Sequence, residues 1–138
     1  MDTKYDIILF VDGSSTVYPD KKKYKYGGIG IYRADINLRI KKGYYGHTVT
    51  NQKMELSAIK EAIKNCLTES DANKKILIYS DSMYAINVIT KWSESWKKNG
   101  WKRKEKNKLA EVSNLDLVKD LYELNKLYNI TYKHTRSH

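Results

Sequence analysis

Apolar and polar residues alternate over short stretches early in the chain, and the spacing turns helical near the middle. Stretches from about Tyr5 to Asp12, Tyr26 to Arg33 and Asn37 to Gly46 read as strands. Short links between them predict an antiparallel meander. Gly13 to Lys25, with Pro19 and three consecutive lysines, reads as a polar hairpin loop. Gly27, Gly28 and Gly30 fall on or beside the second strand. Strand glycines mark a bulge or the close approach of another backbone. No Gly-Lys-Ser/Thr follows them, so they form no Walker phosphate loop. From Asn51 to about Leu67, Ala58, Ile59, Ala62, Ile63 and Cys66 make one helical stripe. Lys75 to Ser80 reads as a strand buried on both faces. A helix opens at Ser82 or Met83, with Ala85, Ile86, Ile89 and Trp92 on its apolar face. A last helix follows Ser113 or Asn114 and carries Leu117, Leu121, Leu124 and Tyr128 on one stripe. Ile130 to His134 reads as a fifth strand.

Two of these strands end alike. Ile7-Ile8-Leu9-Phe10-Val11 runs into Asp12, and Ile76-Leu77-Ile78-Tyr79-Ser80 runs into Asp81. A carboxylate leaving a core is costly to desolvate unless a cation meets it. The strand–helix–strand connection predicts that the two strands are parallel. Both acids then emerge at the carboxyl edge, where open α/β sheets place their ligands. Glu55 lies on the inward stripe of the crossover helix, near its start, within reach of that edge. Capping accounts for Asp81 alone, and the helix macrodipole accounts for Glu55 alone. A Mg²⁺ site built of hard oxygen ligands accounts for all three together.

At 138 residues the chain is long enough for one domain, 1–138, with a real core. Its net charge of +10 suits a polyanionic partner such as nucleic acid. No apolar run approaches the roughly 20 residues of a membrane span, and Met1-Asp2-Thr3-Lys4 lacks a signal peptide's architecture. The only cysteine, Cys66, excludes an intrachain disulfide and fits a reducing, intracellular compartment. Between Lys97 and Lys108 lie seven basic residues and one acid, and the three tryptophans, Trp92, Trp96 and Trp101, fall in or just before that run. A charge run is commonly a solvated face. Interleaving with tryptophan favours a groove that tracks a nucleic-acid backbone.

Taken together, the motifs resemble a type 1 ribonuclease H. The resemblance rests on Phe-Val-Asp-Gly-Ser at 10–14, Thr-Asn-Gln-Lys-Met-Glu-Leu at 50–56 and Tyr-Ser-Asp-Ser at 79–82. Trp-Lys-Lys-Asn-Gly-Trp-Lys at 96–102 and the terminal Arg-Ser-His add to it. It implies an α/β fold of the ribonuclease H kind: a five-stranded mixed sheet, three antiparallel strands then two parallel, flanked by helices. It implies endonucleolytic cleavage of the RNA strand of an RNA/DNA hybrid, leaving 3′-hydroxyl and 5′-phosphate ends. Asp12, Glu55 and Asp81 would hold two Mg²⁺ ions, with Mn²⁺ as a substitute, and His138 would assist proton transfer or product release. Gly13, Ser14, Asn51 and Gln52 would face the RNA strand and the minor groove. Thr50 and Asn114 would hold a DNA phosphate, and Tyr84 and Trp92 would line the DNA channel. Lys97, Lys98, Lys102, Arg103 and Lys104 would form a basic protrusion at about 93–112, shaped by Trp96 and Trp101. The expected partner is the hybrid, bound by a monomer without a small-molecule cofactor or a membrane.

Family members carry a fourth acid and a final helix beyond the motif histidine, and this sequence stops at His138. The expected consequence is weaker binding of the metal that activates water. The alternative expectation is a hybrid-binding module with weakened or absent catalysis. A preference for duplex DNA would instead mark another nuclease of the same fold.

Overall fold

A computed structural model describes residues 4–17 and 25–136. Its main sheet has five strands in the order β3-β2-β1-β4-β7. Strands β1 (Ile7–Val17), β2 (Lys25–Arg33) and β3 (Leu38–Tyr45) form the antiparallel meander. Helix α1 (Asn51–Cys66) then crosses over to β4 (Lys75–Ser80), which pairs parallel with β1. Helix α2 (Met83–Asn87), a π-helical stretch (Val88–Trp92) and α3 (Ser93–Lys98) follow as one winding run. Strands β5 (Lys102–Glu105) and β6 (Lys108–Glu111) make a separate hairpin. Helix α4 (Leu115–Asn125) leads into β7 (Asn129–His134), parallel to β4.

The core lies between one face of the sheet and helices α1 and α4. Ile7, Leu9 and Val11 alternate inward on β1, and Ile29 and Ile31 on β2. The stripe Ala58, Ile59, Ala62, Ile63 and Cys66 is fully buried, as its helical spacing predicts. Arg33 closes the inner end of β2. Its guanidinium donates to both Asp35 oxygens, to Asp71 and to the Cys66 carbonyl. No described helix is long and apolar enough to cross a membrane.

Three expectations need correction. Strand β1 continues past Asp12 to Val17, so Gly13 and Ser14 lie in a strand and not in a loop. Polar Ser14 and Thr16 are tolerated because they point to the exposed face. The lysine run and Pro19 fall outside the described residues. Trp92 is not on the buried face of its helix; it is 39% exposed. Ser93, four residues past Ile89 and donating its hydroxyl to the Ile89 carbonyl, takes the buried position instead. In α4 the deepest residues are Val118 and Leu121, flanked by half-buried Leu117 and Leu124, and Tyr128 lies beyond the helix end. The β5–β6 hairpin has no counterpart in the hydrophobic pattern, since six of its eight strand residues are charged and they carry no apolar alternation.

Candidate active site

Parallel pairing builds the centre. Val11 of β1 lies beside Ser80 of β4, so the next residues, Asp12 and Asp81, leave the sheet together at its carboxyl edge. Asp12 is exposed and Asp81 half-buried. Ser82 caps α2 by accepting from the Ala85 amide at 3.0 Å, so the capping role falls to Ser82 and not to Asp81. Glu55 comes from the second turn of α1. Gly13 brings it close, because a Cβ there would overlap the Met54 carbonyl and crowd the Glu55 amide. Only glycine lets β1 and α1 approach so closely.

The acids sense one another. Burial is the largest influence raising the Glu55 carboxyl above its usual range; a Ser82 hydrogen bond opposes it, and the charges of Asp81 and Asp12 add to it. Among the described residues, no three acidic, histidine or cysteine side chains already form a closed metal cage. The donors fit a hard divalent cation all the same: three carboxylates, no thiolate, and a mutual repulsion that a cation relieves. A residue overlooked in the sequence also stands here. His134, at the end of β7, places Nε2 at 3.0 Å from the Asp81 backbone oxygen. Its place on the neighbouring parallel strand, level with Ser80, was the available signal. His138 lies outside the described residues.

The expected substrate residues divide between two surfaces. Beside the acids, Thr50 is the N-cap of α1, its hydroxyl accepting from the Lys53 amide at 3.1 Å. Asn51 is the first residue of the helix itself. Its Oδ1 accepts from the Ser15 amide at 2.7 Å and from the Ser15 hydroxyl at 3.1 Å. An amide N–H can only donate, so the oxygen faces β1 and the Asn51 amino group is left to donate elsewhere. Gln52 and Ser14 are exposed nearby, and Gly13 is half-buried.

Across the winding helical run, Tyr84 meets Trp92 edge-on at 6.3 Å, and Trp92 meets Trp96 at 5.9 Å. Trp101 packs edge-on against Tyr122 at 5.6 Å, with a positive φ, and so anchors the hairpin to α4. Lys97 lies over the Tyr122 ring at 4.8 Å, and Lys98 and Lys104 are exposed. Lys102 and Arg103 are half-buried; Arg103 donates to the Glu111 carbonyl and pairs with Glu105. Asn114 starts α4 in the left-handed conformation, and its side chain makes no capping bond.

A mixed sheet with acids from two parallel strands and their crossover helix defines an α/β protein with an acidic centre at the carboxyl edge. The RNase H family model matches residues 4–138. Ribonuclease H from Caldicellulosiruptor saccharolyticus is 34% identical over 137 residues, covering 96% of this chain and 84% of that protein. Ribonuclease H from Syntrophus aciditrophicus is 33% identical over 141 residues, covering 99% of this chain and 73% of that one. The solution structure of the PFV RNase H domain overlays with a TM-score of 0.73 at 23% identity, covering 98% of this chain and 81% of that chain. The chain belongs to the ribonuclease H family. It is an enzyme of that family, a hydrolase of the nuclease class.

Proposed function

We propose that the chain hydrolyses the RNA strand of RNA/DNA hybrids, with residues 1–138 working as one ribonuclease H domain. The observation that carries this reading is that paired parallel strands bring Asp12 and Asp81 out at one sheet edge, while the close approach of α1 at Gly13 brings Glu55 up to it. Bound between these carboxylates, two Mg²⁺ ions would supply an activated water and neutralise the leaving oxygen. The chain's own residues do the rest. Asp12, Glu55 and Asp81 gather at the carboxyl edge, and Ser82 favours the charged form of Glu55. His134 steadies the Asp81 backbone. The Asn51 amino group donates toward minor-groove acceptors, while its oxygen stays tied to Ser15. Minor-groove recognition reads the 2′-hydroxyl, which separates RNA from DNA. Tyr84, Trp92 and Trp96 offer an aromatic face to the DNA strand, and the lysines of the hairpin attract its phosphates.

The test is direct. The 138-residue chain is incubated with end-labelled hybrid, duplex DNA, duplex RNA and single-stranded RNA, with Mg²⁺, with Mn²⁺ and with chelator. Metal-dependent cuts confined to the RNA of the hybrid are expected, with 3′-hydroxyl and 5′-phosphate ends. Hybrid binding without cuts would identify a binding module instead, and cuts in duplex DNA would overturn the substrate.

A further inference from the structure

Gly30 of β2 lies directly across from Asp12 of β1, and Lys41 of β3 lies directly across from Gly30. Directly opposed residues share a face of a sheet. The three therefore form a row: acid, bare backbone, cation. All three line a cavity of about 350 Å³ whose wall also includes Asp81 and Arg136.

No folding requirement explains a glycine at position 30. Among the described glycines, only Gly46 and Gly100 have a positive φ. A Cβ on Gly30 would meet nothing within 4 Å. The contrast is with Gly13, where a Cβ would strike Met54, and with Gly27, where it would strike Val49 and Met54. A strand glycine gives up side-chain packing and chain stiffness, and it recurs where a ligand or another backbone comes close.

We propose that Gly30 is a steric selectivity residue. Its bare backbone keeps open a slot between the Asp12 carboxylate and the Lys41 ammonium group. The sugar–phosphate chain of the scissile strand enters through this slot, and Lys41 holds the adjoining phosphate. The inference rests on the nuclease reading above and adds to it a path by which the strand reaches the acids.

Gly30→Ala, Gly30→Val and Lys41→Ala test it, with Gly43→Ala as the control. Gly43 is also a strand glycine, and its added Cβ would come no closer than 4.0 Å to any atom. Hybrid affinity is read by fluorescence anisotropy in an Asp81→Asn background, cleavage in the otherwise unchanged chain, and melting temperature in every variant. Gly30→Ala is expected to melt at or above the parent temperature. It should lose affinity or kcat/KM on the order of tenfold, since a small misplacement of the strand is amplified at the reacting bond. Gly30→Val should lose more. Lys41→Ala should reduce the slope of log affinity against log salt by about one. Gly43→Ala should change neither affinity nor cleavage. Full affinity and cleavage in Gly30→Ala would overturn the proposal. So would a loss that follows a lowered melting temperature shared with Gly43→Ala. Cleavage surviving in Asp81→Asn would instead remove the nuclease reading on which the proposal rests.

Discussion

Burial, with the charges of Asp81 and Asp12, holds the Glu55 carboxyl above its usual range against the pull of the Ser82 hydrogen bond. Asp81→Asn removes one of these charges, so Glu55 should titrate lower, which a side-chain carboxyl NMR titration reads. Without metal the Glu55 carboxyl should titrate above the ordinary glutamate range of about 4.3, and Mg²⁺ should bring it down by relieving the repulsion. A raised carboxyl favours the folded state below its unfolded value, and that contribution is lost as pH rises through the raised one. Asp71 behaves the other way. Burial opposes its ionisation, but hydrogen bonds from Arg33, the Thr68 amide and Lys74 hold it well below the usual carboxylate range. Its contribution is present above about pH 3.9 and lost as pH falls through the lowered value. Asp71→Ala leaves the Arg33 charge buried with only Asp35 as a carboxylate partner, at a cost of about 3–5 kcal/mol in denaturant unfolding. Asp12 and Asp81 were legible in the sequence because each breaks an apolar run. Arg33 was not, because its partners come from Asp35, Cys66 and Asp71, and no local spacing announces such a network.

The boundaries of β2, β3, α1, β4 and β7 follow the hydrophobic periods to within about two residues. The errors arise where a polar stretch takes its shape from tertiary pairing. Ser14 to Thr16 extend β1 because β2 supplies ladder partners and Asn51 clamps Ser15, neither of which alternation reports. The π-helical stretch is equally silent in the sequence, since the period counts residues and assumes the turn. Gly13 sets the spacing between β1 and α1. Gly13→Ala pushes α1 away from β1 at the Met54–Glu55 peptide. It should destabilise the fold by about 1–3 kcal/mol. Cleavage should fall further than stability alone explains, because Glu55 moves with the helix. A melting curve and a kcat measurement on the same preparation check both parts.

Across the whole molecule, parallel β1 and β4 bring the acids to one edge, while the winding helical run, the β5–β6 hairpin and α4 carry aromatic and basic side chains. The net charge of +10 would favour association with a polyanion, and salt would weaken it. Replacing both Lys102 and Lys104 by Ala should lower hybrid affinity about equally for different sequences. The salt dependence should flatten by up to about two counterions, while the chemistry at saturating substrate stays close to that of the parent. The meander, the parallel pairing of the two acid-tipped strands, the acidic edge and the tryptophan–lysine segment were legible before the fold. The distribution of that segment over two helical turns, a positive-φ Trp101 and a charged hairpin was not.

The most direct measurement compares the parent chain with Asp81→Asn on one RNA/DNA hybrid, following binding and Mg²⁺-dependent cleavage in parallel. The predicted result is that hybrid binding survives in Asp81→Asn while cleavage of the RNA strand is abolished. Cleavage by Asp81→Asn at the parent rate would contradict the account, because the acidic edge would then not be where the bond is broken.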